Sequence, residues 1–442
     1  MTGRRRQFVE TVLVQVARIG LGAVAGMVTA RALHAQGRGA YAAVATIAST
    51  ALALGHLSLE QGHMSLWRRQ RDAIPANSAL LGPLTGTVSA VAAAVVVLAL
   101  GPHAVPLPGY GLLIVALAAV PFGMTVLYLN GVLVLQGRVD VVNRAALLSA
   151  VAQCGALAAC GLAGRLSVAV VVWVWALSTA LPLATLLPAL GPRLRDANRV
   201  VAVRALAYGL RYHAAFAALY LLFRLDVLLL NGLSSPAAVG LYSVAITIGE
   251  LAWIVTNAAA QVSLARQADA ELPESASVTL AMTRLSVLLS AIAVAGMCVA
   301  APVLIPLMYG SEFAGSVPAL LGVAPGIFAF GATRPIWAYL VRLNRPIVTS
   351  GIVLAAMAGN VGLCLLLIPR WGVLGCALAS SAGYIGLCGA QLVWFLRATG
   401  TPARRLAPGR AELGFVRRIR RHHAPRVASG PSRIREATRP GS

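Results

Sequence analysis

With 442 residues of which 59% are hydrophobic and only 11% charged, the chain is excluded from the ordinary soluble class, whose domains carry about 25% charged residues. Its 36 basic residues are all arginine against 13 acids, a formal charge of +23. The absence of lysine removes a P-loop phosphate grip and a pyridoxal Schiff base from consideration, so the chain is not itself expected to be an ATP-driven pump.

Apolar windows predict helices near 11–33, 40–60, 79–100, 110–135, 145–163, 167–190, 205–231, 238–262, 280–308, 316–341, 347–368 and 373–396. Each approaches or exceeds the roughly 20 residues that cross a hydrocarbon core about 30 Å thick. The first is a complete span with no small-residue cleavage site after it, so it does not read as a signal peptide. The expectation is an all-α integral membrane protein of about twelve transmembrane helices.

With the amino terminus placed in the cytoplasm, sixteen arginines before the tail fall on the inner side. Only Arg31, Arg38, Arg165 and Arg370 fall on the outer side. This bias predicts both termini cytoplasmic and a multi-pass protein of the cytoplasmic membrane. The outer connections, such as 107–109 and 234–238, are too short to fold as a catalytic domain. The function therefore has to lie among the helices, and a transporter is expected rather than an enzyme. Six cysteines (Cys154, Cys160, Cys298, Cys364, Cys376 and Cys388) lie in apolar segments without metal-ligand spacing, and read as small buried hydrophobes. No cofactor, no metal and no nucleic-acid partner is expected.

An internal echo connects GRGAYAAVATI around Tyr41 with AVGLYSVAITI around Tyr242, at an offset of 201 residues. It aligns Gly39 with Gly240, Tyr41 with Tyr242, Thr46 with Thr247 and Ile47 with Ile248. Both stretches open the second helix of a six-helix half. The predicted organisation is an N-terminal six-helix lobe (1–195), a C-terminal six-helix lobe (196–396) and a basic tail (397–442), with the lobes pseudo-symmetric about the membrane normal.

Ionisable groups inside hydrocarbon are costly and face protein or a water-filled cavity. The candidates are Arg18, Arg224, Asp226, Glu250 and Arg334, with Glu60 near the end of the second helix. On the seventh helix His213, Tyr220, Arg224 and Asn231 are spaced 7, 4 and 7, so they fall within about 20° of one line. That stripe suggests the wall of an aqueous cavity. Asp226, two residues on from Arg224, points elsewhere. Glu250, Asn257 and Gln261 share one side of the eighth helix, and Pro335 after Arg334 predicts a kink. Two readings stay open: the charges pair and stitch helices together, or an excess of arginine attracts an anion, for which its planar fork of donors is suited. His56 reads as a satisfied core histidine and His213 as lying at a helix entrance. The tail carries twelve arginines against two glutamates. It reads as a disordered cytoplasmic extension, attracted to anionic lipid or merely solvated.

Four blocks together carry a resemblance: ARALHAQGRGAYAAV (30–44), YLLFRLDVLLLNGLSSPAAVGLYSVA (220–245), LIPLMYGSEFAGSVPALLGVAPG (304–326) and LNRPIVTSGIVLAAMAGNVGLCLLLIPRWGVLGCALASSAGY (343–384). In this order they resemble the polysaccharide and O-antigen flippases of the multidrug/oligosaccharidyl-lipid/polysaccharide exporter superfamily. The resemblance implies a MATE-like fold and a cationic central cavity. It also implies an undecaprenyl-linked oligosaccharide cargo whose phosphate or diphosphate meets cavity arginines. Arg18, Arg224, Arg334, Tyr220 and Asn231 are then candidates for substrate binding, and Asp226, Glu250 and Asn257 for a coupling ion. Further partners would be other membrane proteins of polysaccharide assembly. One departure is visible: relatives end the first helix in A-R-x-L-G, and here His34 replaces the glycine. The competing functions are a multidrug antiporter of the same superfamily, a membrane-embedded assembly enzyme, and a non-transporting scaffold.

Overall fold

The computed structural model describes residues 2–257, 260–261, 272–343 and 346–407. Most of the arginine-rich tail, and with it the expected lipid attraction of that tail, lies outside the described residues. In chain order the helices are α1 (Thr2–Gly55), α2 (Leu59–Leu66), α3 (Ala73–Ala104), α4 (Tyr110–Ala118), α5 (Val120–Leu135), α6 (Val139–Leu162), α7 (Val168–Ala180) and α8 (Leu183–Leu190). They continue with α9 (Arg199–Leu233), α10 (Pro236–Leu251), α11 (Leu272–Tyr309), α12 (Ser316–Arg342) and α13 (Pro346–Thr399). No strand occurs among the described residues, as expected where lipid cannot satisfy an open sheet edge. Ten stretches among the described residues are long and apolar enough to cross a membrane. The protein is an all-α, multi-pass membrane protein.

The two longest elements are hairpins. In α1 the backbone breaks at His34 (φ 58°, ψ 179°), and Arg38 Nη1 donates to the Gly26 carbonyl at 3.0 Å. Twelve residues of straight helix would separate these groups by about 18 Å, so the chain folds back at His34. In α13 the break is at Gly372 (φ 53°). There a methyl on Gly383 would lie 2.8 Å from Asn360 Cβ, although the two would be about 35 Å apart on a continuous helix. The helices expected at 11–33 and 40–60, and at 347–368 and 373–396, are the arms of these hairpins. The helix expected at 110–135 bends at Ala119, ahead of Pro121, and that at 167–190 bends before Pro182.

Chain reversal defines two ends of the bundle. The near end gathers residues 55–72, 136–138, 191–198 and 343. The far end gathers His34, 105–109, 163–167, Ser234, Ser235, 310–315 and Gly372. Between them α3 presents Leu84, Val88, Val91, Val95 and Leu98, all exposed, at the 4-3-4-3 spacing of one helix face. An apolar exposed stripe of that kind is what hydrocarbon solvates.

The largest core is built almost wholly from α9–α13 around Leu222, Tyr242, Phe313 and Tyr384. Smaller clusters hold α1 to α8, one around Ile47, Val97 and Leu113, another around Met124 and Tyr128. The halves meet most closely where the second arm of α1 crosses α10, with Gly39 against Pro236 and Gly240 against Ala35. Side chains then fasten the far end. Arg31 donates to the Met308 and Leu307 carbonyls at 3.0 and 2.5 Å, and His34 Nδ1 lies 3.1 Å from Glu312 Oε1. Arg38 is buried, donates to Ser243 Oγ at 3.1 Å and stands over the Tyr309 ring. Two of the motifs that carried the resemblance, A-R-x-L-H and Y-G-x-E-F, thus meet at one place.

Candidate functional site

A polar constellation lies on α9, α10 and α12. Arg224 grips Glu250 with both prongs, Nη1 to Oε1 at 3.0 Å and Nη2 to Oε2 at 3.2 Å. Each side chain keeps about one third of its surface exposed. Tyr220, one turn before Arg224, faces that guanidinium and Thr50 of α1. Arg334 has no carboxylate partner among the described residues. Its guanidinium carbon stands 4.7 Å from the centroid of Phe330 and 5.5 Å from that of Trp253. Its Nε is buried without a hydrogen-bond partner among the described residues. Phe223, Trp253, Phe330 and Tyr384 form a packed aromatic group behind these charges, and Trp253 is anchored through Nε1 to the Ile327 carbonyl at 2.9 Å. The residues can compensate a single carboxylate and still present a second, half-buried positive charge.

Asp226 belongs elsewhere. It is fully buried, and its Oδ2 accepts from the Tyr242 hydroxyl at 2.5 Å and from Ser380 Oγ at 2.7 Å. Oδ1 accepts the Val227 N–H at 2.8 Å. The acid therefore links α9 to α10 and α13 through neutral donors. Arg18 lies on the first arm of α1, exposed, lining a cavity of about 290 Å³ between α1 and α6 together with Gln15 and Gln153. Asn231 is buried and donates to the Pro106 carbonyl at 2.7 Å, and His213 Nδ1 meets Ser58 Oγ at 3.2 Å. The stripe read along the seventh helix is thus divided. Tyr220 and Arg224 stay with the charged constellation, while its two ends fasten α9 to the N-terminal half. Asn257 lies half-buried two turns beyond Glu250.

A multidrug-resistance MATE-family transporter of the MOP superfamily, solved inward-facing, matches at TM-score 0.63 and 14% identity, covering 87% of this chain and 94% of that one. Lipid II flippase MurJ in an inward closed conformation matches at TM-score 0.67 and 12% identity, over 94% and 93% of the two chains. The chain has the MATE and MurJ fold. A MOP-superfamily transporter from Pyrococcus furiosus, described as having a binding pocket of reversed polarity, matches at TM-score 0.64 and 13% identity, over 89% and 94%. No family model matches the sequence, and neither does any curated protein.

Within this MATE and MurJ fold six of the eight expected site residues form three groups: Arg224, Glu250, Tyr220 and Arg334 together, Asp226 apart, and Arg18 in its own groove. Asn231 fastens α9 to the Pro106 carbonyl, and Asn257 lies beyond Glu250 on the α10 side. Sequence reasoning did not single out Tyr242 and Ser380 as partners of Asp226, nor the aromatic support of Arg334. Tyr242 stood in the internal echo and Ser380 in the last of the four blocks. Neither carried a spacing that pointed to a carboxylate on another helix.

Proposed function

We propose that the protein translocates an undecaprenyl-(di)phosphate-linked oligosaccharide across the cytoplasmic membrane by alternating access, for cell-surface polysaccharide synthesis. The observation that carries this reading is Arg334, a half-buried guanidinium within electrostatic reach of Glu250, which Arg224 already neutralises, and with a donor left over. A site with surplus positive charge recruits an anion, and a guanidinium suits phosphate. The other arginine of the reading, Arg18, stands exposed in the α1–α6 groove, open to a lipid-linked head group.

In this reading the two lobes enclose the sugars while the polyprenyl chain stays in lipid, which avoids dragging hydroxyls through hydrocarbon. Arg18 and Arg334 attract the head group, and Arg224 takes it over as the lobes rock. Asp226 or Asn257 binds the coupling ion, or Glu250 does once Arg224 has turned from it to the head group. A multidrug antiporter of the same fold needs an acid free to hold an organic cation. In the constellation that holds Arg334 the acid, Glu250, is committed to Arg224, which favours an anionic cargo at that place.

Depletion of the protein is expected to accumulate a lipid-linked sugar on the inner leaflet. Arg18→Ala and Arg334→Ala, expressed at normal levels, are expected to reproduce that accumulation. Full transport by both variants would remove the phosphate-binding role, and efflux of cationic drugs in place of sugar accumulation would favour the antiporter.

A further inference from the structure

We propose that His56 and Glu60 form a proton-binding site that controls the near-end contact between α2 and α9. The proposal adds to the transport reading a proton site separate from the ion placed at Asp226, Glu250 or Asn257, and depends on that reading only for its use in a cycle.

His56 directly follows the second arm of α1 and Glu60 lies in the first turn of α2. His56 Nδ1 accepts the Ser58 N–H at 2.8 Å, so this nitrogen carries no proton in the described state. The same Nδ1 lies 3.4 Å from Glu60 Oε2. That oxygen is buried and has no hydrogen-bond partner among the described residues. One nitrogen faces two groups that require opposite things of it: Ser58 needs a lone pair, Glu60 needs an N–H. A proton taken up at Nδ1 converts the ring to imidazolium, which donates to Glu60 Oε2 and gives up Ser58. The pair goes from one negative charge to none, and release of the proton restores the first arrangement.

The turn between the two residues translates that exchange into movement. Leu57 and Ser58 both hold left-handed conformations (φ 51° and 50°) without being glycine, and such residues persist only where their surroundings hold them. The hold includes the Ser58 N–H bond to His56, the Leu59 N–H bond to the His56 carbonyl at 3.0 Å, the Ser58 Oγ contact with His213 and the packing of Gly209. A methyl on Gly209 would fall 2.5 Å from the Leu57 carbonyl oxygen. Loss of the first loosens the turn on which α9 rests. The titratable groups around His56 are Glu60 and His63 from α2, His213 from α9, with ring centroids 5.3 Å apart, and Tyr128 from α5, whose hydroxyl donates to the His56 carbonyl at 2.9 Å. His63 contacts Tyr128 and Ser78 instead. His213 holds the turn through Ser58 but has no carboxylate within ion-pair distance among the described residues.

The test uses the full chain in lipid nanodiscs without cargo, with nitroxides at the exposed positions Met64 and Val203. The distance between them is read by electron spin resonance between about pH 5.5 and 8.5, the range in which histidine changes charge. The wild-type distance is expected to change as the pH falls. His56→Asn keeps an oxygen acceptor for Ser58 but cannot take up the proton. It is expected to hold the high-pH distance throughout, with His56→Gln as a second variant should the first not fold. Glu60→Gln is expected to move the midpoint to lower pH, because the imidazolium loses its carboxylate. His213→Gln is expected to keep a pH response. A wild-type distance independent of pH, or a response retained in both His56 variants, would overturn the proposal. Because no cargo is present, an intact response beside absent sugar transport would overturn the transport reading and leave the site standing.

Discussion

Gly39 and Gly240 touch each other's helices reciprocally: Gly39 packs against the carbonyl of Pro236, and Gly240 against the carbonyl of Ala35. The offset of 201 residues that aligns Gly39 with Gly240 also aligns Ala35 with Pro236. The two contacts exchange under one operation, which is what a two-fold relation between the halves requires. A methyl at either glycine would collide with backbone, which cannot rotate away as a side chain can. Gly39→Ala and Gly240→Ala are each expected to cost about 3 kcal/mol or more, at the upper end of overpacking penalties. Thermal unfolding in detergent measures this, and a loss under about 1 kcal/mol would mean that the helices separate without resistance.

The Arg224–Glu250 pair can be reversed. Removing one partner leaves a charge facing the protein, so Arg224→Ala and Glu250→Ala are each expected to lower stability by about 1–3 kcal/mol, discounted for the third of each side chain that water reaches. The double exchange Arg224→Glu with Glu250→Arg restores the attraction in the opposite sense and is expected to recover most of that stability. If the pair only joins α9 to α10, the exchange also recovers transport. If Arg224 meets a phosphate, transport stays lost. Unfolding and transport measured on the same three variants separate the roles.

The helical class and the locations of the spans were legible because twelve apolar windows stand out against loops rich in arginine. The pairing of the charges was legible only by half. Spacing says that Arg224 and Asp226 cannot share a face, and they do not. It cannot say which residue of another helix arrives opposite, since that depends on how α9, α10, α12 and α13 pack. Arg38 shows the same limit. It sits next to a turn and reads as a loop charge, yet the hairpin at His34 carries it back into the interface, where Gly26, Thr29 and Ser243 hold it. The Leu57–Ser58 turn was invisible, because both left-handed positions carry side chains and Gly55 just before them lies within an apolar run that reads as one helix.

Asp226 makes three hydrogen bonds and no ion pair among the described residues. Asp226→Ala would leave a void beside the Tyr242 and Ser380 hydroxyls, which stand 3.0 Å apart and keep only each other, and would strip the Val227 N–H of its acceptor. It is expected to cost about 2–4 kcal/mol. Asp226→Asn keeps an acceptor of the same size, and is expected to cost under about 1.5 kcal/mol. The comparison isolates charge from packing. Transport that survives Asp226→Asn with its ion-gradient dependence intact would exclude Asp226 as the coupling group, whatever the alanine variant does.

His34 is where the chain departs from the glycine of its resemblance, and the backbone explains what that glycine would do. At φ 58° and ψ 179° the residue occupies a region nearly reserved for glycine, where another side chain costs about 1–3 kcal/mol. The imidazole lies 3.1 Å from Glu312 Oε1, but both side chains are well exposed, and an exposed ion pair offsets only about 0–1 kcal/mol. Glycine also loses about 0.5–1 kcal/mol through the greater freedom of the unfolded chain. The balance predicts that His34→Gly stabilises the protein by roughly 0.5–1 kcal/mol, while His34→Ala, which loses the contact and keeps the strain, destabilises it slightly. Unfolding of the two variants at matched lipid content checks the sign. If glycine proves the less stable of the two, the bond to Glu312 matters more to the hairpin than the backbone does.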